Sequence, residues 1–554
     1  MAVHVGDHAP SIFTIVCRAV TWELASLRMA TRVADVVVAG AGHNSLITAA
    51  YLGAAGYECV VLDARPVLGG GAVTDELLLP GFRVDACSTG HTLIQANPLI
   101  RDDELGLVAD YGLAYIDPDP VAHVVFPDGE HLTMWLDRDR TATEISRFSA
   151  RDAAAYLTLL EEFESVRSFV GGARFRPVGH GPGLDEVLAR EPVWMRRHMM
   201  SARDVIIHTF EEEHIRAFMG WMASQTAVPI DGAGTGLLAY QIVAGRQARS
   251  WSIPIGGSGR LIDSLVRFLA DHGAQFRTDA MVTELIIDGD RCVGVRTASG
   301  DEYRARHAVV STIHIKHLVG MAPDEHWGDD FRYGVATYDV GLPFFAGYLA
   351  TTEPPIFATP DGGRTAVSAG ISGWLDDIAD NARRVSRGEH SEDDPWFLVA
   401  TPSLVDPDRA PDSGHTVKFV SINSYDVRGG GPEEWDRIKD DHLDRQLGRL
   451  RRYAPNLTDD VILARVARSP LDIERDNPHM IHGAPHGGAR DIGFSGAQRP
   501  VPGWASHRMP IAGLYQTGGT THPGGSITGA PGRNAAWVLL EDLGRDPGEV
   551  MSID

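Results

Sequence analysis

The fold is decided by residues 33–64, VADVVVAGAGHNSLITAAYLGAAGYECVVLDA. Asp35 to Ala39 is the kind of valine run that lies in a parallel sheet buried on both faces. Gly40 and Gly42 follow at once, then an alanine-rich segment without proline up to Gly56, which stands where a helix C-terminal cap is wanted. A second apolar strand, Cys59 to Leu62, ends in Asp63. Strand, tight turn, helix, strand and an acid about 20 residues after the glycines make the pattern of a dinucleotide-binding unit. Gly40 and Gly42 let the chain turn sharply and bring N–H groups against a pyrophosphate, while the helix N-terminus adds its positive dipole end. Asp63 is placed to accept hydrogen bonds from ribose hydroxyls. Ser45 stands where the motif G-x-G-x-x-G has its third glycine, which serves mainly to let helix and strand pack closely. A serine is small enough to weaken that match without breaking it.

A chain of 554 residues is too long for one compact core, so two or more domains are expected. The formal charge of −24 argues against a nucleic-acid partner and against broad attraction to anionic membranes. Four cysteines, Cys17, Cys59, Cys87 and Cys292, have no C-x-x-C spacing, so neither a disulfide scaffold nor a cysteine zinc site is expected, and a reducing cytoplasm fits. No apolar run reaches the roughly 20 residues of a membrane span; peripheral membrane contact is left open. Residues 1–28 lack a basic start and are broken by Arg18 and Glu23, which does not read as a signal peptide. An alternative start at Met29 and a leader helix without catalytic role both fit.

After Asp63 comes ARPVLGGGAVTDELLLPGFRVDACS, with Gly69, Gly70 and Gly71 close behind the acid and Arg65 available as a cation. A nicotinamide domain normally proceeds directly to its next helix. A second glycine cluster suggests instead that the chain stays beside the cofactor and crosses its pyrophosphate again. Far downstream, GLYQTGGTTHPGGSITGAPGRNAAWVLL reads as a short strand (Leu514 to Thr517), a turn, a glycine- and proline-rich loop and a helix (Arg533 to Leu540). These two stretches resemble the signatures of FAD-binding proteins built like glutathione reductase, and within them of the phytoene dehydrogenase-like family of carotenoid desaturases, ketolases and their relatives.

The resemblance implies an α/β fold: a glutathione-reductase-type Rossmann FAD-binding domain, discontinuous in sequence, with an inserted α+β substrate domain. The expected parts are an N-terminal extension at 1–30, FAD-binding segments at 31–97, 251–312 and 508–554, and substrate segments at 98–250 and 313–507. It places Gly40, Gly42, Asn44, Ser45, Asp63, Ala64, Arg65, Gly70, Gly71 and Ala72 on FAD from the N-terminal side. From the C-terminal side it places Gly518, Gly519, Gly525, Ser526, Ile527 and Thr528, facing the N1–C2=O edge of the flavin. Related folds carry an Asp where Gly519 stands, so backbone contacts must substitute there. The backbone at Val282 would meet the adenine.

Between Trp251 and Thr312, a GGSG turn precedes an amphipathic helix (Leu261 to Asp271), strands separated by DGD and SGD turns, and a buried strand (Ala308 to Ser311). No buried parallel strand of the right kind precedes GGSG, so a separate NAD site is not expected there. In the insertions, residues 151–170 read as an amphipathic helix and 432–453 as a charged one. Phe218, Trp221 and Met222 read as core packing.

His522 is the candidate for proton transfer beside the flavin, the alternative being that it only ties down its loop. His479, His482 and His486, with Asp491, have a spacing that could hold a metal, but a glycine-rich loop lacks the fixed face of a helical pair, and no metal is expected. Arg533 reads as a helix-terminal salt-bridge partner. There are three lysines, Lys316, Lys418 and Lys439, read respectively as a loop residue, a strand residue and part of a charged helix, which disfavours a lysine-assisted amine oxidase. Three readings follow. One is an FAD-dependent dehydrogenase or desaturase acting on an apolar or aromatic small molecule, with flavin reoxidised by oxygen, a quinone or another acceptor. The others are a ketolase-like or amine-type oxidase, and a non-catalytic lipid escort of the same fold.

Overall fold

The computed structural model describes residues 31–553, apart from 361, 386, 390–393 and 412. The N-terminal extension, with Cys17 and Met29, lies outside the described residues. Thr31–Ala39 forms β1, His43–Ala54 α1 and Cys59–Leu62 β2. Next come Ala122–Val125 (β3) and His131–Met134 (β4), followed by the helices Ala150–Arg174 (α2), Glu213–Ala223 (α3), Leu238–Arg249 (α4) and Gly259–Asp271 (α5). Gln275–Arg277 (β5), Val282–Asp288 (β6), Arg291–Thr297 (β7) and Glu302–Ser311 (β8) return the chain to β1. Phe344–Thr351 (β9), Ser368–Ser372 (β10), Trp396–Ala400 (β11), His415–Ile422 (β12) and Ile462–Arg468 (β13) come next. Leu514–Gln516 (β14) and Ala530–Asp542 (α6) close the chain.

Two seven-stranded sheets result. The first runs β6-β7-β8-β1-β2-β5, with β14 added to β8. Its centre is parallel, β8 on β1 on β2 on β5. The expected strand at Asp35 begins earlier, at Thr31, because the long β8 pairs it from Glu302 onward. Val36, Val38 and Val61 are sealed beneath α1, and Leu539 and Leu540 of α6 join the same core. Each such side chain taken out of water contributes roughly 1.5–3 kcal/mol.

The chain's two ends are bonded as well as packed. The Thr48 hydroxyl of α1 donates to the Gly532 carbonyl of α6 at 2.9 Å. Arg533 makes a buried two-pronged ion pair with Glu104, at 2.9 Å from Nε and 2.8 Å from Nη2. The Tyr51 hydroxyl also donates to Glu104. Arg533 is therefore a salt-bridge partner, set inside the core rather than at the helix's solvent end.

The second sheet runs β13-β9-β12-β11-β10-β3-β4, antiparallel except where β10 meets β3. Helices α2, α3 and α4 share its core, in which Phe218, Trp221 and Met222 are fully buried. The Trp221 indole donates to the Phe397 carbonyl of β11 at 3.1 Å, which fixes α3 on the sheet. Among the described residues no helix is long and apolar enough to cross a membrane.

Candidate active site

A cavity of about 1140 Å³ is lined on one side by the glycine loops of the first sheet and on the other by α4 and by β9, β11 and β12 of the second. β1 ends at Ala39, and Gly40 turns the chain with φ +96°. A side chain there is blocked twice over: the conformation is left-handed, and a Cβ would lie 2.4 Å from the Thr312 methyl. α1 then begins at His43 with Gly42 as its N-cap and no side chain capping it, so its first N–H groups are left for an anion. The second glycine cluster crosses this turn, Gly69 N–H donating to the Ala41 carbonyl at 2.8 Å.

Asp63 stands at the end of β2. Its carboxylate accepts the Ala41 N–H at 2.8 Å and the Arg65 N–H at 2.9 Å, so it holds the loop while lining the cavity. Burial raises its pKa, against the pull of those N–H groups and the Arg65 charge. Arg65 donates to the Gly70 carbonyl at 3.0 Å, tying the end of β2 to the second glycine turn. The buried Asn44 Oδ1 has no hydrogen-bond partner among the described residues, and Asn44 lines the cavity with His43. An uncapped helix end and an acid beside it, both lining the cavity, fit the diphosphate and ribose of FAD.

Of the residues expected on the cofactor, Gly40, Gly42, Asn44, Asp63, Ala64, Arg65, Gly70, Gly71, Val282, Gly518, Gly519, Gly525, Ser526 and Ile527 line this one cavity. Three stand a layer behind it. The buried Ser45 hydroxyl turns back to the carbonyls of Gly40 (2.6 Å) and Gly42 (2.9 Å), bracing the turn in the space a third glycine would leave empty. Ala72 N–H closes the second glycine turn on Gly69 O at 3.0 Å. Thr528 accepts the Ala530 N–H through its hydroxyl (3.2 Å) and the Asn97 amide through its carbonyl (2.8 Å), which ties down the start of α6.

His522, the expected candidate for proton transfer, is bonded behind its loop. It does not line the cavity; its Nε2 meets the Ala173 carbonyl at 2.8 Å. Ala173 lies in the last turn of α2, where carbonyls lack helical partners, and the histidine satisfies one of them. Of the histidine cluster, His479 and His486 line the cavity, whereas His482 stacks on Tyr425 at 4.5 Å. Burial pulls the His479 and His486 pKa values down to about 4 and about 3, so both rings are neutral near pH 7. Among the described residues no group of three His, Cys, Asp or Glu is placed to hold a metal.

The loop from Gly518 to Ile527 is held from behind by the buried Arg499 and the half-buried Arg490. Arg499 donates to the carbonyls of Ala489 (2.6 Å), Phe494 (3.1 Å) and Gly519 (3.2 Å), and Arg490 to that of Gly525. Two N–H groups of the GGSG turn are taken up inside the protein: Ser258 N–H donates to Asp85 at 2.9 Å and Gly259 N–H to Thr74 at 3.0 Å.

Several cavity residues were not legible beforehand. Lys418, expected as an ordinary strand residue, lines the cavity from β12, with Nζ donating to the Cys87 carbonyl. Burial lowers its pKa, partly opposed by Cys87 and Asp85. Tyr348 and Trp396 line the same wall, and Arg246 and Trp251 come from α4 and the segment after it. Their only sequence signal was residue type, since the strand register that gathers them is a tertiary property.

Residues 46–329, just over half of the chain, match the family described as flavin containing amine oxidoreductase. The Mus musculus pyridine nucleotide-disulfide oxidoreductase domain-containing protein 2 is 28% identical over 92% of this chain and 94% of its own. The neurosporene-forming phytoene desaturase of Cereibacter sphaeroides is 24% identical over 90% of this chain and 92% of its own. Among solved structures, cyclohexylamine oxidase from Brevibacterium oxydans superposes with a TM-score of 0.54 at 15% identity, over 92% of this chain and 100% of its own.

Proposed function

The chain belongs to the flavin-containing amine oxidoreductase family, and on that premise we propose that it oxidises a C–H bond of a small molecule with an apolar or aromatic body. It is an FAD-dependent oxidoreductase of the phytoene dehydrogenase-like type, which sets aside the escort reading. When bound, FAD accepts the hydride. The single observation that carries the substrate reading is the continuity of the cavity: it runs from the glycine loops to a wall of Phe344, Tyr348, Trp396, Leu398 and Val420. In this reading 31–97, 251–312 and 508–554 hold the cofactor, and 98–250 and 313–507 shape the substrate.

Each part of the chain then has a task. The N-termini of α1 and the second glycine turn hold the diphosphate, Asp63 the ribose and the Val282 backbone the adenine. The 518–527 loop, with the Arg490 and Arg499 cations bonded to its carbonyls, faces the flavin edge that gains charge on reduction. Buried apolar walls exclude water from the reacting carbon.

Lys418 favours a second reading, oxidation of a C–N bond. A buried ammonium with a lowered pKa gives up its proton more readily than an exposed one, and the neutral amine it leaves can accept one beside a reacting amine. The relatives' names point both ways, to desaturation and to amine oxidation.

The test is anaerobic titration of the FAD-loaded protein with a series of cyclic alkenes and a matched series of cyclic amines. Loss of the oxidised flavin absorbance with the alkenes supports the first reading, and with the amines the second. A flavin that dithionite bleaches but no member of either series does would overturn both.

A further inference from the structure

We propose that Arg246 anchors a carboxylate, so that the substrate is an apolar acid whose reacting carbon lies nearer Lys418. This rests on the oxidoreductase reading above and specifies its substrate. Arg246 lies on α4, lines the cavity and is 3% exposed. Its Nη1 donates to the Ser368 hydroxyl at 3.1 Å and its Nη2 to the Gln225 side-chain carbonyl at 3.0 Å. The rings of Trp221 and Trp251 flank the guanidinium at 5.8 and 5.3 Å.

Among the described residues no carboxylate comes within ion-pair distance of it. Two other buried arginines are neutralised, Arg409 by Asp85 and Asp406 and Arg533 by Glu104; Arg499 also has no carboxylate among the described residues, but it is bonded to backbone carbonyls behind the 518–527 loop and does not line the cavity. Burying a charge without a counter-charge is costly, and here burial alone pulls the guanidinium pKa to about 9. A ligand anion entering the cavity would supply the missing charge.

The sheet register gives the ligand's length. Ser368 pairs with Ala400, Ala400 with Lys418, and Lys418 with Tyr348, forming one row across β10, β11, β12 and β9. Directly paired residues face the same side of a sheet, and neighbouring strands lie about 4.8 Å apart. Ser368, which holds Arg246, is therefore roughly 10 Å from Lys418. Ala400 stands between them and Leu398 borders the same wall. Lys418 touches the Cys87 carbonyl, and Cys87 packs beside Gly71 of the second glycine cluster, so this end of the row adjoins the cofactor loops.

The geometry is a cation, an apolar gap and a reacting end. It fits a ring with a short acid chain or a medium alkyl acid, and it does not fit an α-amino acid, whose carboxylate is bonded directly to the reacting carbon. A single guanidinium matches the single charge of a carboxylate and its paired oxygens, whereas a phosphate dianion would keep one charge uncompensated.

The experiment is calorimetric binding of an ω-phenylalkanoate series, benzoate to 6-phenylhexanoate, and of the corresponding primary amides, to FAD-loaded protein and to its Arg246→Gln and Arg246→Lys variants. The expected result is a preference of at least tenfold for acid over amide that peaks within the series, is lost in Arg246→Gln and is partly kept in Arg246→Lys. Equal binding of acids and amides by the unaltered protein, or an unchanged preference in Arg246→Gln, would overturn the proposal. The unaltered protein decides the matter alone if the variants do not fold. Failure to take up FAD would instead strike at the oxidoreductase reading, and acid binding by the flavin-free protein can still be measured in that case.

Discussion

Replacing Gly40 with alanine tests how the turn after β1 makes the cofactor site. Two costs can be worked from the structure. The first is conformational: at φ +96° an L-residue pays about 1–2 kcal/mol. The second is contact: the new Cβ would lie 2.4 Å from the Thr312 methyl, and relief of such overlap costs about 1–3 kcal/mol. The turn cannot easily move, because the Gly40 N–H is bonded to the Leu62 carbonyl at 2.7 Å. Together these come to about 2–5 kcal/mol, which is roughly a 30- to 4000-fold loss of FAD affinity if the displaced turn is felt at the diphosphate. Gly56 is the control. It has φ +90° beyond the far end of α1, and a Cβ there meets nothing within 4 Å. Gly56→Ala should cost stability by the conformational part alone and leave FAD affinity unchanged. Flavin fluorescence titration gives the affinities and denaturant titration the stabilities. Equal FAD affinity in Gly40→Ala and the parent protein would refute the reasoning.

Three further outcomes follow from buried groups. Glu104→Ala leaves the Arg533 guanidinium uncompensated in the core and should cost roughly 3–5 kcal/mol of unfolding free energy; a loss below about 1 kcal/mol by denaturant titration would show that the tie between the chain's ends matters little. Asp63→Ala leaves the N–H groups of Ala41 and Arg65 without acceptors, at about 1–3 kcal/mol each, and should weaken FAD binding as well as stability, which thermal melts with and without FAD separate. Burial pulls the pKa values of His43, His479 and His522 to about 4, and of His486 and His507 to about 3. The unfolded chain therefore binds protons below its ordinary histidine pKa of about 6.5 while the folded chain does not. Stability should be full above about pH 7 and fall below about pH 6, by up to roughly 1.4 kcal/mol per ring per pH unit until the folded values are reached. Melting temperatures unchanged between about pH 7.5 and 5 would contradict this.

What could be read from the chain alone was what local physics specifies. The valine runs, the glycines and the unbroken alanine segment set β2 to the residue and placed β1 and α1, although β1 starts four residues before the expected Asp35, since each is a short-range preference. The joining of both ends around one cavity was legible through the two glycine signatures. Side-chain direction was not. Ser45, in the first turn of α1, and Thr528, just before α6, lie at the expected positions but turn away from the cavity, each bonded to a backbone group at a turn or helix end. His522 is drawn off by a carbonyl of α2 more than 300 residues earlier in the chain, a partner no spacing rule identifies. Lys418 and Arg246 were hidden for the opposite reason: strand register and helix packing bring them to the cavity, and neither has a sequence motif around it.

The central claim is that both ends of the chain close on one flavin dinucleotide, and the most direct measurement is the flavin content of the purified protein after saturation with FAD and gel filtration. The account predicts one FAD per chain, seen as the oxidised flavin spectrum and released intact or left covalently attached on denaturation. A protein that stays colourless and carries no flavin after saturation would contradict it.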